Sequence, residues 1–324
     1  MITRPLPTIH ATREFRALTH QALLYGSDEE FLASTIPFIR DGLERDDPIW
    51  IMTTVRNAGW LRAALGADAG RVAFGDCNQW YCHPARALAG LHRAVRGVGE
   101  GGRRLRVIGE PLWTARSGQE STEWARLESL VNGALSWANA SFVCSYDTRV
   151  VDDEVVDQVA RTHPELVVGG GARPSPSYTD PAVFNAECDE APLCEPPASA
   201  LRLGFDRSGQ LAPLRAFMTS YATWAGASAR SVEQFVQAVD EVATNAIEHG
   251  GGSGVLRIWT GPQTMVCEVS DTGAGLCDPL AGHLPPPPGR AGLCGLWLAR
   301  QFCDLVEVRS DSTGTTVRLH LALP

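Results

Sequence analysis

The sequence contains no lysine, so all 28 basic residues are arginine. That excludes a Walker A phosphate loop, a Schiff-base lysine and any other lysine-dependent site. It also lacks a basic surplus. Residues 1–195 carry 19 Arg against 26 acids, a balance of −7, and residues 196–324 carry 9 against 11, a balance of −2. Neither half has the charge of a surface that binds nucleic acid. No apolar run is long enough to span a bilayer, and residues 1–10 lack the charged-then-apolar pattern of a signal peptide. The expected location is therefore cytoplasmic, with neither membrane nor nucleic acid as a direct partner. The nine cysteines are scattered without paired CxxC sets and read as reduced, largely buried thiols.

What is present suits two globular domains: 324 residues, 44% of them hydrophobic and 20% charged. In the first half, residues 22–25, 48–55, 71–74, 105–109 and 141–146 read as strands. Helical stretches lie between and after them, the first opening on a capping box at Ser27-Asp28-Glu29-Glu30. This alternation predicts an α/β domain with a mostly parallel sheet covered on both faces, a three-layer arrangement. Function in such sheets sits past the strand C-termini, here Gly26-Ser27, Asp76-Cys77, Glu110-Pro111 and Tyr146-Asp147. Glycines 169–171 and six prolines between Pro174 and Pro197 then read as a connector rather than a folded element. The expected boundaries are 15–170, a linker at 171–198, and 199–324.

The second half reads as a strand at 201–205 and helices near 211–225, 232–249 and 293–302, with strands at 254–260, 264–270, 305–309 and 315–322. Helices on one face of a mixed sheet give an α+β two-layer sandwich. In the middle helix Val232, Phe235, Val236, Val239, Ala243 and Ala246 form an apolar stripe, and Glu241 and Asn245 lie off it, one turn apart. A carboxylate and an amide oxygen sharing that space suit a polarised nucleophile and a divalent cation. Asp271 precedes Gly273 and Gly275, so the backbone can turn tightly against a flat ligand while the acid accepts from an exocyclic amine; an ordinary Asp-Thr-Gly turn is the plain alternative. Gly292 and Gly295 open the next helix, whose free amides suit a phosphate. His249 reads as a helix C-terminal histidine favoured by the dipole.

The order of these pieces, closed by Gly314-Thr315-Thr316, resembles the N, G1, G2 and terminal boxes of the GHKL (Bergerat) ATP-binding fold. Within it the chain is most similar to the anti-sigma-factor serine/threonine kinases, notably at Glu241-Val-Ala-Thr-Asn245-Ala-Ile-Glu-His249-Gly250 and in the run from Gly295 to Asp304. The resemblance implies ATP and Mg²⁺ as cofactors, Glu241 as general base and Asn245 as the Mg²⁺ ligand. It further implies Asp271 as reader of the adenine amine, Gly273, Gly275, Gly292 and Gly295 as close backbone contacts, Thr315 or Thr316 completing the adenine pocket, and Arg290 as a phosphate contact. The partners it implies are a sigma factor and a STAS-type anti-sigma antagonist, with a homodimer allowed.

The first half looks like the MEDS sensory domain, at His20-Gln-Ala-Leu-Leu-Tyr25, Pro37-Phe38, Tyr81-Cys-His-Pro84, Cys144-Ser-Tyr146-Asp147 and Thr162-His163-Pro164. That implies a sensing module related to P-loop folds without the loop, receiving a small-molecule or redox signal. His20, Cys77, Cys82 and His83 are the candidate metal or ligand site, with packed side chains as the alternative. The expected activity is ATP-dependent phosphorylation of an antagonist under sensory control. The alternatives are nucleotide-dependent partner capture without phosphotransfer and a histidine-kinase relative.

Overall fold

A computed structural model describes residues 18–99, 102–113, 116–206, 208–276, 278, 281–283 and 295–324. The first sheet contains β1 (Thr19–Tyr25), β2 (Ile49–Thr53), β3 (Ala73–Asp76), β4 (Leu105–Gly109), β5 (Ala140–Asp147), β6 (Glu165–Val168) and β7 (Gly171–Pro174). Their order is β3-β2-β4-β5-β1-β6-β7, and every neighbouring pair is parallel except β6 with β7. Side chains alternate across each strand, so the two faces build separate cores. On one face Leu23, Ile51 and Ile108 meet Phe31 and Ile39 of α1 (Asp28–Glu44) and Leu61 of α2 (Val55–Leu65). On the other, Ala22, Val107 and Phe142 meet the second set of helices. These are α3 (Cys77–Trp80), α4 (Pro84–Gly99) with Leu88, α5 (Gly118–Ala134) with Trp124, and α6 (Asp153–Thr162) with Val159.

At the strand C-termini Glu110 is buried and enclosed by protein donors. It accepts from the Tyr25 hydroxyl at 3.0 Å, the Thr54 amide at 3.0 Å and Asn57 Nδ2 at 3.1 Å, and from Thr53 Oγ1. Burial, with Glu110 beside it, pushes the Tyr25 phenol up.

The stretch expected to be a connector rather than a folded element holds a strand and a helix across half its length. Gly169 (φ +57°) and Gly170 (φ +80°) make the tight turn that sends β7 back along β6. Pro174 ends that edge strand, where a missing amide costs no ladder bond. Pro181 then opens α7 (Pro181–Glu190), capped by Asp180. Phe184 is 3% exposed in the core beneath it, and Arg126 of α5 donates to the Asn185 carbonyl at 3.3 Å and to Asp189 at 2.8 Å. A helix with one large buried side chain leaves almost no periodic signal, which is why proline content dominated the sequence reading.

The second sheet has the order β11-β12-β10-β9-β8, from β8 (Leu201–Phe205), β9 (Gly254–Thr260), β10 (Thr264–Asp271), β11 (Leu305–Asp311) and β12 (Gly314–Ala322). It is antiparallel throughout rather than mixed, because β9–β10 and β11–β12 are direct hairpins and β8 joins the free edge of β9 antiparallel. Helices α8 (Leu211–Trp224), α9 (Ala229–Glu248) and α10 (Gly295–Phe302) share a core with the inner face through Leu256, Ile258, Cys267, Val317 and Leu319.

The outer face carries a charged row in register: Arg257, Glu268, Arg318 and Glu307 on β9, β10, β12 and β11. Glu268 accepts from Arg257 at 2.9 Å and Arg318 at 2.5 Å, and Arg318 donates also to the Cys194 carbonyl at 2.7 Å. The chain entering this unit thus crosses the sheet's outer face. Glu268→Gln takes from the buried Arg318 guanidinium the carboxylate it is hydrogen-bonded to and is expected to lower unfolding stability by about 3 kcal/mol, read by urea denaturation.

Candidate functional site

Helix α9 begins at Ser228, whose side chain accepts from the Ser231 amide, and it buries Val232, Phe235, Ala238, Val239, Val242, Ala243 and Ala246. Glu241 and Asn245 are half-buried beside this stripe. The first residue of α10 closes on both: a Cβ on Gly295 would lie 2.7 Å from Asn245 Nδ2 and 3.3 Å from Glu241 Oε2. A side chain at this position would have to displace the Asn245 amide. Burial, followed by the charges of Asp240 and Glu248, raises the Glu241 carboxyl above its ordinary value.

The C-terminal end of α9 meets the strand ends. His249 caps the helix through its amide to the Asn245 carbonyl at 2.8 Å. Thr272 N donates to the Gly250 carbonyl at 3.3 Å, and a Cβ on Gly273 would fall 2.7 Å from Gly250 Cα. Asp271 Oδ1 accepts from Gly273 N at 2.9 Å and Thr315 N at 3.2 Å, tying the β10 end to the start of β12. Gly275 (φ +79°) packs against the Asp311 carbonyl, where a side chain has neither the space nor the backbone conformation. Asp271, Gly273, Gly275 and Thr315 are therefore assembled at one end of α9.

Thr316 is not part of this group. It pairs with Ser270 and Arg309 and, by strand alternation, shares the outer face with Arg318, whereas Thr315 shares the inner face with Val317 and Leu319. Arg290 and Gly292, like the proline run 285–288, lie outside the described residues.

Residues 19–164 match the family described as MEDS, the MEthanogen/methylotroph, DcmR Sensory domain. Residues 206–321 match the Histidine kinase-like ATPase domain. The first half of the chain is thus similar to a MEDS domain and the second half to a histidine kinase-like ATPase domain, and the two halves are called the MEDS domain and the ATPase domain accordingly. No curated protein matches it. Among solved structures, the RsbU and RsbW domains of Rv1364c from Mycobacterium tuberculosis are similar at 21% identity, covering 40% of this chain and 34% of that one, with a TM-score of 0.30. The chain thus spans about a third of that structure's length.

The MEDS domain grips α10 of the ATPase domain. Arg86 donates to the Gln301 carbonyl at 2.8 Å, Gln301 Nε2 returns a bond to the Ala85 carbonyl at 3.4 Å, and Arg300 lies 3.8 Å from Glu123 of α5. Burial pushes Arg300 down to about 10 against the pull of Glu123. The helix that opens against Glu241 and Asn245 is thus the one bonded to α4 and α5 of the first half.

Within the MEDS domain the expected group His20, Cys77, Cys82 and His83 does not assemble. Cys82 is exposed and donates to the Gln79 carbonyl at 3.0 Å, and His83 lies 3.7 Å from Asp304 of the ATPase domain. Among the described residues the one metal-competent cluster is His20, Glu128, Cys144 and His163, all buried, which retains only His20 of the expectation. The ligand-bearing segments are far apart in sequence, so no short spacing advertised them; the signal available was the polar His20 and Cys144 inside otherwise apolar buried strands. Burial pushes the His163 imidazole well below its ordinary value, aided by His20, and pushes the Cys144 thiol up, aided by Glu128.

Proposed function

We propose that this chain is an anti-sigma regulator whose second domain is a GHKL/Bergerat-type serine/threonine kinase for a STAS-type anti-sigma antagonist, controlled by the MEDS domain. The observation that carries this reading is the Glu241–Asn245 pair closed by Gly295. A carboxylate of raised affinity for a proton, one turn from an amide oxygen and beneath a helix start, has the parts of a phosphoryl-transfer site.

The donor set fits Mg²⁺, a hard cation that keeps several waters and takes few protein oxygens together with phosphates. Asn245 would hold it, and when bound it neutralises charge between the phosphates. Glu241 accepts the proton of the antagonist hydroxyl, and the α10 amides face the phosphates. Asp271 keeps one carboxylate oxygen on Gly273 and Thr315 and offers the other to the adenine amine. Thr315, not Thr316, flanks that pocket. Thr315→Ala is expected to weaken ATP binding several-fold and Thr316→Ala to leave it within about twofold, measured by titration calorimetry.

In the MEDS domain, the P-loop-related reading is supported by the run of parallel strands β3-β2-β4-β5-β1-β6 with helices packed on both faces. The alternative of a histidine-kinase relative finds little support. Among the described helices the one internal histidine is His92, buried on α4 against Trp137. No described helix is long and apolar enough to cross a membrane.

The test is incubation of the full chain with ATP, Mg²⁺ and a STAS-type antagonist, followed by phosphosite mapping. Phosphoserine or phosphothreonine on the antagonist is expected. ATP binding without transfer points to a nucleotide-dependent capture protein, and phosphohistidine on the chain itself to a histidine kinase.

A further inference from the structure

The four side chains His20, Glu128, Cys144 and His163 come from β1, α5, β5 and the residue that follows α6. Parallel pairing of β1 with β5 sets Ala22 opposite Cys144, and strand alternation puts His20 on the same face. Helix α5 crosses that face and supplies Glu128. All four lie in the interior, with exposures of 2%, 4%, 8% and 0% in chain order.

Their mutual distances are those of ligands around one ion. Tetrahedral ligands on zinc, at about 2.0–2.1 Å for N or O and about 2.3 Å for S, stand about 3.4 Å apart for N/O pairs and about 3.6 Å for pairs that include sulfur. Glu128 Oε2 lies 3.3 Å from His20 Nε2 and 3.6 Å from His163 Nε2. Cys144 Sγ lies 3.5 Å from His20 Nε2 and 3.6 Å from Glu128 Oε2. All four ligand atoms fall within 4.8 Å of one another.

The hydrogen bonds around the cluster fix the imidazoles with their lone pairs inward. Asn132 Nδ2 is committed to carbonyls of Ser129 at 3.1 Å and Thr162 at 2.8 Å, so its Oδ1 is the face turned to His20. His20 Nδ1, 3.0 Å from that oxygen, carries a proton, so in the neutral ring Nε2 is the acceptor. His163 Nδ1 lies 2.9 Å from the Val159 carbonyl, again an acceptor, and its buried Nε2 makes no hydrogen bond. With neutral rings, two imidazole lone pairs thus converge on a buried carboxylate that the Cys144 thiol alone meets with a proton, at 3.6 Å. A shared proton or a metal cation relieves that arrangement, and outer-shell carbonyl and amide partners of this kind are what orient histidines on a metal.

We propose that the MEDS domain of this chain binds one divalent transition-metal ion, zinc by its donor set, through His20 Nε2, Glu128, Cys144 Sγ and His163 Nε2. On binding, the Cys144 thiol gives its proton to solvent and the thiolate and carboxylate together balance the dication. Four protein ligands close the coordination sphere, the pattern of a structural or sensing site rather than one that activates water.

The experiment uses the full chain, reduced, stripped with chelator and titrated with Co²⁺, with metal content of the untreated protein measured in parallel. The expected result is one ion per chain, tetrahedral visible bands, and a thiolate-to-cobalt charge-transfer band that Cys144→Ser abolishes while Cys82→Ser preserves it. Asn132→Ala, which keeps every ligand, is expected to weaken Co²⁺ binding about 10–100-fold. A folded chain that takes up no Co²⁺, or a cobalt spectrum unchanged in Cys144→Ser, overturns the proposal and leaves a protonated histidine–glutamate pair in its place. Should Cys144→Ser fail to fold, the charge-transfer band of the parent chain and the Asn132→Ala affinity still decide.

Discussion

Replacement of Glu241 by Gln is expected to lower phosphate transfer to the antagonist by about 10²–10⁴-fold, the range for loss of a positioned general base. ATP affinity should stay within about threefold. The asymmetry follows from geometry: Gln keeps the volume beneath Gly295, where the Glu241 oxygen lies 3.3 Å from the position a Cβ would take, and leaves Asn245 and Asp271 untouched. Single-turnover kinetics with labelled ATP separate the two effects. The pH profile gives a second reading. Burial and the neighbouring acids hold the Glu241 proton above the ordinary carboxylate range, and the base works only when ionised. Transfer should therefore fall as pH drops through an inflection above that range, and the inflection should vanish in Glu241→Gln.

Asp271→Asn carries the other large effect. Asn retains the oxygen that accepts from Gly273 and Thr315, so the turn and the β12 junction survive, but it replaces the second oxygen by an amide donor that opposes the adenine amine. A charged hydrogen bond is worth about 1.5–3 kcal/mol, so ATP affinity should drop about 10–100-fold with little change in thermal stability. Calorimetric titration checks both. Unchanged affinity would move the nucleotide away from this end of α9.

The placement of Glu241 and Asn245 on one helix was readable in the sequence because that element is local and periodic. Val232, Phe235, Val239, Ala243 and Ala246 mark one face of α9 over four turns, and that face alone sets Glu241 and Asn245 beside each other. The choice between Thr315 and Thr316 was also readable: Val317, Leu319 and Leu321 alternate, so the period of two already assigns Thr315 inward. The connector was not legible. Phe184 is the one large side chain that pins α7, and the arginine that holds Asp189 lies 63 residues earlier. Nor was the His20–Glu128–Cys144–His163 cluster, since its members meet only through the parallel pairing of β1 with β5 and the packing of α5 and the end of α6 on that face, long-range facts that no local pattern records. The expectation drew on neighbouring cysteines and histidines, and proximity in sequence misled it.

The coupling of the halves has the same character. Arg86 and Glu123 look like ordinary helix charges until α10 is set against them. Helix α10 therefore touches both halves, with Gly295 against the Glu241–Asn245 pair at one end and Arg300 and Gln301 against α4 and α5 at the other.

The central claim is that Glu241, Asn245, Asp271 and Thr315 line one nucleotide site. A crystal structure of the full chain with a non-hydrolysable ATP analogue and Mg²⁺ tests it most directly. The account predicts the metal on Asn245, the adenine amine on Asp271, and the terminal phosphate between Glu241 and the start of α10; a nucleotide bound elsewhere, or a metal with no contact to Asn245, would contradict it.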